Sequence, residues 1–126
     1  GKARSFYAKA LLVNPGKETF NNLANLLQRE GKADSAARLL KKSLKISPDP
    51  VSSNNLGTYH ARKKEFYEAI KYYREAVRLQ PDYTDAWLNL LNAYEASGNR
   101  EMLRKETIRM AALFADNNWE VKTYAR

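Results

Sequence analysis

The sequence predicts an all-α solenoid, in which helical hairpins stack on one another along the chain. Three observations lead to this prediction. Prolines recur at a fixed interval, since Pro15, Pro48 and Pro81 are each 33 residues apart. Apolar residues between these prolines follow the spacing of one helix face, and small residues recur at matching places. A period in the thirties is typical of helical arrays in which each unit packs on its neighbours.

The stretch from 54 to 81 shows one unit most completely, as two amphipathic helices joined by a short basic turn. Apolar residues of its second helix recur at the i, i+3, i+4 and i+7 positions that form one face. They are Phe66, Ala69, Ile70, Tyr73, Ala76 and Val77. Such a hairpin cannot bury its apolar stripes alone, so it requires neighbours built in the same way.

The other elements follow from the same register. Helices are expected at 2–13, 18–30, 33–46, 52–63, 66–79, 84–97, 100–114 and 117–125. Gly31, Gly98 and the Pro-Asp pairs at 48–49 and 81–82 mark the turns between them. The predicted units are 17–49, 50–83 and 84–117. A second helix of a truncated repeat at 1–16 precedes them, and a capping or partial-repeat helix at 118–126 follows.

The first helices of the units match one another as well. The matching pairs are Leu23-Ala24, Leu56-Gly57 and Leu90-Leu91, and the third unit adds Trp87, Tyr94 and Gly98. With these marks the chain resembles the tetratricopeptide repeat, which has Trp, Leu-Gly, Tyr, then Ala, an aromatic and Pro in 34 residues. The second unit departs from the pattern, with Ser53 where Trp is usual. The resemblance implies a right-handed α-solenoid with an extra helix at each end, and a role in protein–protein interaction.

Composition narrows the function further. The chain has 126 residues, no cysteine and one histidine, His60, so it lacks the residues of a zinc site. It also has no glycine-rich phosphate loop and no nucleophile motif. We therefore expect no enzymatic activity, no cofactor and no metal. The sequence shows no signal peptide and no apolar run long enough to span a membrane, and it does not indicate a compartment.

Asparagine is the strongest candidate for a binding role. In the repeat frame the first helices carry polar residues at corresponding places: Asn21, Asn22, Asn25, Asn54, Asn55, Thr58, Arg62, Asn89 and Asn92. An amide offers donors and an acceptor that match a peptide unit. The resemblance implies that these residues line a concave groove, where inner-face asparagines of the family hold an extended peptide backbone. Local bonding between neighbouring repeats is the alternative role for these asparagines.

Positive charge is concentrated on the second helices, within a formal net charge of +8. The resemblance places these helices on the convex face, whose predicted basic residues are Arg38, Lys41, Lys42, Lys45, Lys71, Arg74 and Arg78. A solvated surface is the simplest interpretation, and contact with anionic lipid or an acidic partner is the alternative. Specific nucleic-acid binding is not expected, because the aromatic residues lie at core positions.

The sequence therefore leaves two classes of function open. The first is a non-enzymatic module that binds an extended protein or peptide segment through the asparagine ladder. The second is a scaffold or assembly domain of a larger protein, for example in a membrane-associated or glycosyl-transfer system. The apolar residues of the helix expected at 2–13 lack a partner helix, so we also expect self-association or coverage at that end.

Overall fold

A computed structural model describes residues 17–117 of the chain. In this range six helices follow one another and no strand occurs. They are α1 (Lys17–Arg29), α2 (Ala33–Ile46), α3 (Pro50–Arg62), α4 (Phe66–Leu79), α5 (Thr84–Ala96) and α6 (Arg100–Asp116). Each end lies within two residues of its predicted place. The elements expected at 1–16 and 118–126, including the N-terminal helix proposed for self-association, lie outside the described residues.

Helix ends follow from local side-chain chemistry. The carboxylate of Asp49 accepts a hydrogen bond of 2.8 Å from the backbone N–H of Ser52, and Pro50 occupies the first turn of α3. Proline is favoured there because the first N–H groups of a helix have no partner within the helix. Pro50 therefore explains why α3 begins two residues before the predicted 52. Gly31 and Gly98 have φ of 78° and 79°, the left-handed conformation that ends a helix.

The helices form an α-solenoid of three stacked hairpins, α1–α2, α3–α4 and α5–α6. Each hairpin also packs on the next, through α2 on α3 and α4 on α5. First helices α3 and α5 touch directly, whereas α2 and α4 make no comparable contact. The described part of the array is therefore tighter on the side of the first helices. None of the described helices is long and apolar enough to cross a membrane.

The core consists of two clusters, each of which joins one hairpin to a helix of the middle hairpin. The first joins α1 and α2 to Leu56 of α3. The second joins α4, α5 and Phe114 of α6, and at its centre Trp87 is fully buried. Ala36, Ala69 and Ala76 are also fully buried, as expected of the small residues at helix crossings.

The two helices of the second hairpin approach closely at Gly57 of α3. A Cβ atom built on Gly57 would lie 2.5 Å from two ring carbons of Tyr73, far inside van der Waals contact. The Tyr73 ring is 3% exposed, and its hydroxyl lies 3.0 Å from Oγ1 of Thr58, on α3. The ring is held at both its edge and its hydroxyl, so it cannot move aside readily.

We predict that Gly57→Ala destabilises the protein. Overpacking a core costs about 1–3 kcal/mol, while alanine gains about 1 kcal/mol over glycine in helix propensity. A net loss of about 1 kcal/mol in the free energy of unfolding is expected by urea titration. Tyr73→Ala removes both clashing carbons, so in that background Gly57→Ala should no longer destabilise the protein. An unchanged or raised stability of Gly57→Ala alone would contradict the close approach.

Candidate functional site

The candidate groove lies on the side of the first helices. An open depression of about 460 Å³ lies between α3 and α5. Its lining residues are Asn54, Asp85, Leu88, Asn89 and Asn92. The structure thus brings together three of the asparagines that the sequence predicted. The other predicted residues of α1 and α3 are not among those that line this depression.

Asn54 is the most deeply placed of these asparagines, at 8% exposure. Its Oδ1 accepts a hydrogen bond of 3.0 Å from Nδ2 of Asn89, on the next first helix. Its own Nδ2 donates a longer bond of 3.4 Å to the hydroxyl of Tyr83, in the turn before α5. Asn54 therefore joins α3 to α5 and fixes the orientation of the Asn89 amide.

Asn21 and Thr58 are likewise engaged within the protein. Oδ1 of Asn21 accepts a hydrogen bond of 2.8 Å from the Ser52 hydroxyl, which links α1 to α3. Oγ1 of Thr58 donates to the carbonyl oxygen of Asn54 over 3.2 Å and also lies 3.0 Å from the Tyr73 hydroxyl. These polar residues hold helices together. Such bonding within the protein is the alternative role that the sequence left open for the asparagines.

The remaining predicted groove residues face solvent to different degrees. Asn22, Asn25, Asn92 and Arg62 are exposed, and Asn55 is half-buried. Asn22 and Asn25 are three residues apart on α1, and Asn89 and Asn92 have the same spacing on α5, so each pair shares one helix face. Whether these residues contact a peptide stays a prediction.

Two phenols beneath the groove are neutral hydrogen-bonding groups. Burial raises the pKa of Tyr73 above its ordinary value, and the hydrogen bond with Thr58 offsets part of that rise. Burial likewise raises the pKa of Tyr83, partly offset by the bond from Asn54, with Asp85 and Asp49 adding to the rise. Both phenols therefore keep their protons at neutral pH, and Tyr83 receives the Asn54 amide without a charge.

Leu88 is the lining residue that the sequence analysis missed. It occupies the register position of Asn21 and Asn54 in the third unit, where the amide is replaced by an apolar side chain. Alignment of the three units could have found it, because each of these residues follows the preceding one by 33 or 34 positions. Because its side chain is apolar, Leu88 does not belong to the set of repeated asparagines.

All seven predicted residues of the basic face are exposed. Arg78 forms a bidentate ion pair with Glu75, and the Lys71 ammonium lies 6.0 Å from the centre of the Tyr72 ring. A second depression, of about 300 Å³, lies between α4 and α6. It is lined by Lys71, Arg74, Glu75, Val77, Arg78 and Arg109. Arg109, from α6, extends the predicted basic face into the third unit.

His60 is part of the packing between α3 and the turn that follows it. It is 8% exposed, its Nδ1 lies 2.8 Å from a carboxylate oxygen of Glu65, and its ring stacks on Tyr72. Its hydrogen bond to Glu65 is the main cause that lowers the pKa of this carboxyl. Between residues 17 and 117, no cluster of three or more His, Asp or Glu residues could hold a metal ion.

Comparison with protein families matches two stretches of the chain. Sequence profiles described as Tetratricopeptide repeat match residues 18–47 and 51–83. Together these matches cover half of the chain. No curated protein matches the chain by sequence.

Solved structures share the fold over most of the chain. One crystal structure of a protein named MamA superposes with a TM-score of 0.81 at 16% identity, covering 99% of this chain and 67% of that one. A second MamA crystal structure gives a TM-score of 0.70 at 25% identity, covering 86% and 66%. The chain thus spans about two thirds of the length of these structures. The likeness shows a common helical solenoid.

We predict that Asn54→Ala weakens the stack, whereas Asn92→Ala does not. Asn54→Ala removes the side-chain bonds to Asn89 and Tyr83, each worth about 0.5–1.5 kcal/mol. The free energy of unfolding should fall by about 1–2 kcal/mol in urea titration. The exposed Asn92 is the matched control, and its loss should change stability by less than about 0.5 kcal/mol. Equal effects of the two substitutions would contradict the internal role of Asn54.

Proposed function

Because the chain belongs to the tetratricopeptide repeat family, we propose that it is a non-enzymatic module that binds an extended peptide segment along its first helices. Tetratricopeptide repeats generally mediate contacts between proteins, which is the broader role of the chain. The proposal adds the surface that makes the contact and the groups that hold the ligand. It concerns the groove between α3 and α5 and its extension along α1.

The observation that carries this proposal is the fixed amide of Asn89 beside the exposed amide of Asn92. Asn89 is half-buried and donates to Asn54, so its orientation is set before a ligand arrives. Binding groups that are already ordered lose less conformational entropy on association. The Oδ1 of Asn89 can accept a peptide N–H, while Asn92 offers both a donor and an acceptor. This pairing suits a peptide backbone whatever its side chains are.

Corresponding residues of the other first helices would extend the site. Asn55 repeats the register place of Asn89 on α3, and Asn22 and Asn25 repeat the spacing on α1. Charges near this strip have both signs, with Asp85 on α5 and Arg62 on α3. A mixed or neutral segment therefore fits better than a strongly acidic one.

A displayed-peptide library tests the groove. Peptides captured by the wild type should bind Asn55→Ala/Asn92→Ala at least about tenfold more weakly, because two hydrogen-bonding amides are lost. The free energy of unfolding should not change, since neither amide belongs to the Asn54 network. Fluorescence anisotropy of labelled peptides measures the affinities.

The matched control lies on the opposite face. Lys41→Glu/Lys45→Glu changes exposed residues of α2 and should leave the affinity for groove peptides within twofold. If the amide variant binds every captured peptide as the wild type does, the groove asparagines are structural and the proposal is wrong.

The exposed basic face supports a second candidate, an assembly domain of a larger protein. Of its seven residues, only Arg78 has a carboxylate partner among the ion pairs of the described residues. Contact with anionic lipid would then fall steeply with salt. Sedimentation with phosphatidylserine vesicles tests this candidate. Binding that Lys41→Glu/Lys45→Glu abolishes would support it, and absence of binding at low salt would exclude lipid.

A further inference from the structure

One register position is filled differently in the second and third units. In the third unit, Trp87 is fully buried and its indole Nε1 donates a hydrogen bond of 2.8 Å to the carbonyl oxygen of Pro81. The guanidinium carbon of Arg109 lies 5.6 Å from the centre of the indole ring and covers it. In the second unit, Ser53 occupies the place of Trp87, 34 residues earlier. Serine fills less of this space than the indole does.

A pocket of about 300 Å³ is present at this place, between α2, α3 and α4. It is lined by Leu44, Pro48, Ser53, Lys71, Tyr72 and Glu75. In the third unit, the residues at the same register places are Val77, Pro81, Trp87, Lys105, Glu106 and Arg109. An apolar cavity of about 150 Å³ already accepts benzene in a protein. The pocket is thus large enough for an indole ring.

The pocket contains a polar group without a partner. Ser53 is fully buried, and its hydroxyl has no hydrogen-bond partner within the described residues. A buried hydroxyl without a partner is unfavourable, so a ligand that enters deeply enough to supply a donor or acceptor there would be stabilised. Tyr72 forms an aromatic wall, since its ring is half-buried and stacks on His60 with centroids 5.6 Å apart. Leu44 and Pro48 add apolar surface.

Charge beside the pocket indicates what accompanies the aromatic group. Lys71 and Glu75 line this pocket and also the adjoining basic depression between α4 and α6. That depression holds Arg74, Arg78 and Arg109 as well. Arg78 pairs with Glu75 and Arg109 pairs with Glu106, so Lys71 and Arg74 leave the depression with a positive net charge. A carboxylate next to the aromatic group would therefore find complementary charge in the adjoining depression.

We propose that the pocket at Ser53 binds a tryptophan side chain of an acidic partner segment. The indole lies between Leu44 and Tyr72 with its N–H near the Ser53 hydroxyl, and neighbouring carboxylates of the segment contact the basic depression. Buried aromatic anchors of this kind dominate many protein–protein interfaces. The site shares no lining residue with the groove between α3 and α5, so the two can be tested separately.

The probe is the capped peptide acetyl-Trp-Asp-Asp-amide, titrated into the ¹⁵N-labelled 126-residue chain. Saturable shifts of the backbone amides of Leu44, Ser53 and Tyr72 are expected. Ser53→Trp fills the pocket with the residue found at this register place in the third unit and should weaken binding at least tenfold. Acetyl-Trp-Lys-Lys-amide should also bind the wild type at least tenfold more weakly. Asn55→Ala/Asn92→Ala should bind the probe as the wild type does, which separates this site from the groove.

A second variant keeps the test decisive if Ser53→Trp does not fold. Ser53→Ala preserves the space and removes the hydroxyl. The wild type should prefer 3-methylindole over 1,3-dimethylindole, which lacks the N–H, and Ser53→Ala should lose that preference. No saturable shift around Ser53 with either indole or peptide would overturn the proposal. Equal affinities for the acidic and basic peptides would contradict the proposal that the partner segment is acidic.

Discussion

The close approach of α3 and α4 at Gly57 sets the geometry on which the candidate groove depends. Because Gly57 has no side chain, the Tyr73 ring lies against the α3 backbone, where its hydroxyl meets Thr58. Thr58 in turn donates to the carbonyl oxygen of Asn54, whose side chain receives the amide of Asn89. A series of contacts thus connects the crossing of α3 and α4 to α5 in the next repeat. The crossing at Gly57 and the amide of Asn89 are therefore connected through α3.

The two faces of the array have different chemistry because first and second helices have different neighbours. First helices touch one another, so their polar residues can bond across units, as Asn21 does with Ser52. The gap between α2 and α4 instead leaves room for long exposed cations and for the pocket at Ser53. Amides suit the closely packed face of the first helices because they are uncharged and can both donate and accept hydrogen bonds. Charged side chains suit the open face, where water solvates them.

Two departures from the repeat pattern lie at the places where a function is proposed. Leu88 interrupts the row of amides inside the groove, and Ser53 replaces the indole that fills the third unit. Tyr72 partly compensates for Ser53, since a large residue stands there where the third unit has Glu106. The second unit thus keeps its fold while it gains a pocket. Sequence rules that hold elsewhere and fail at one position commonly mark functional or strained sites.

The sequence by itself determined the helices and the solenoid, since the apolar stripes are local patterns and the 33-residue proline interval is visible along the chain. It also identified the asparagines and cations by register alone. Only the tertiary structure decided which amides are engaged, because the partner of Asn54 lies 35 residues away and meets it only when repeats stack. The same reason applies to the pocket at Ser53, whose walls come from three helices. The local sequence pattern determines where each helix begins and ends. The distance between two helices depends instead on the size of the side chains packed between them.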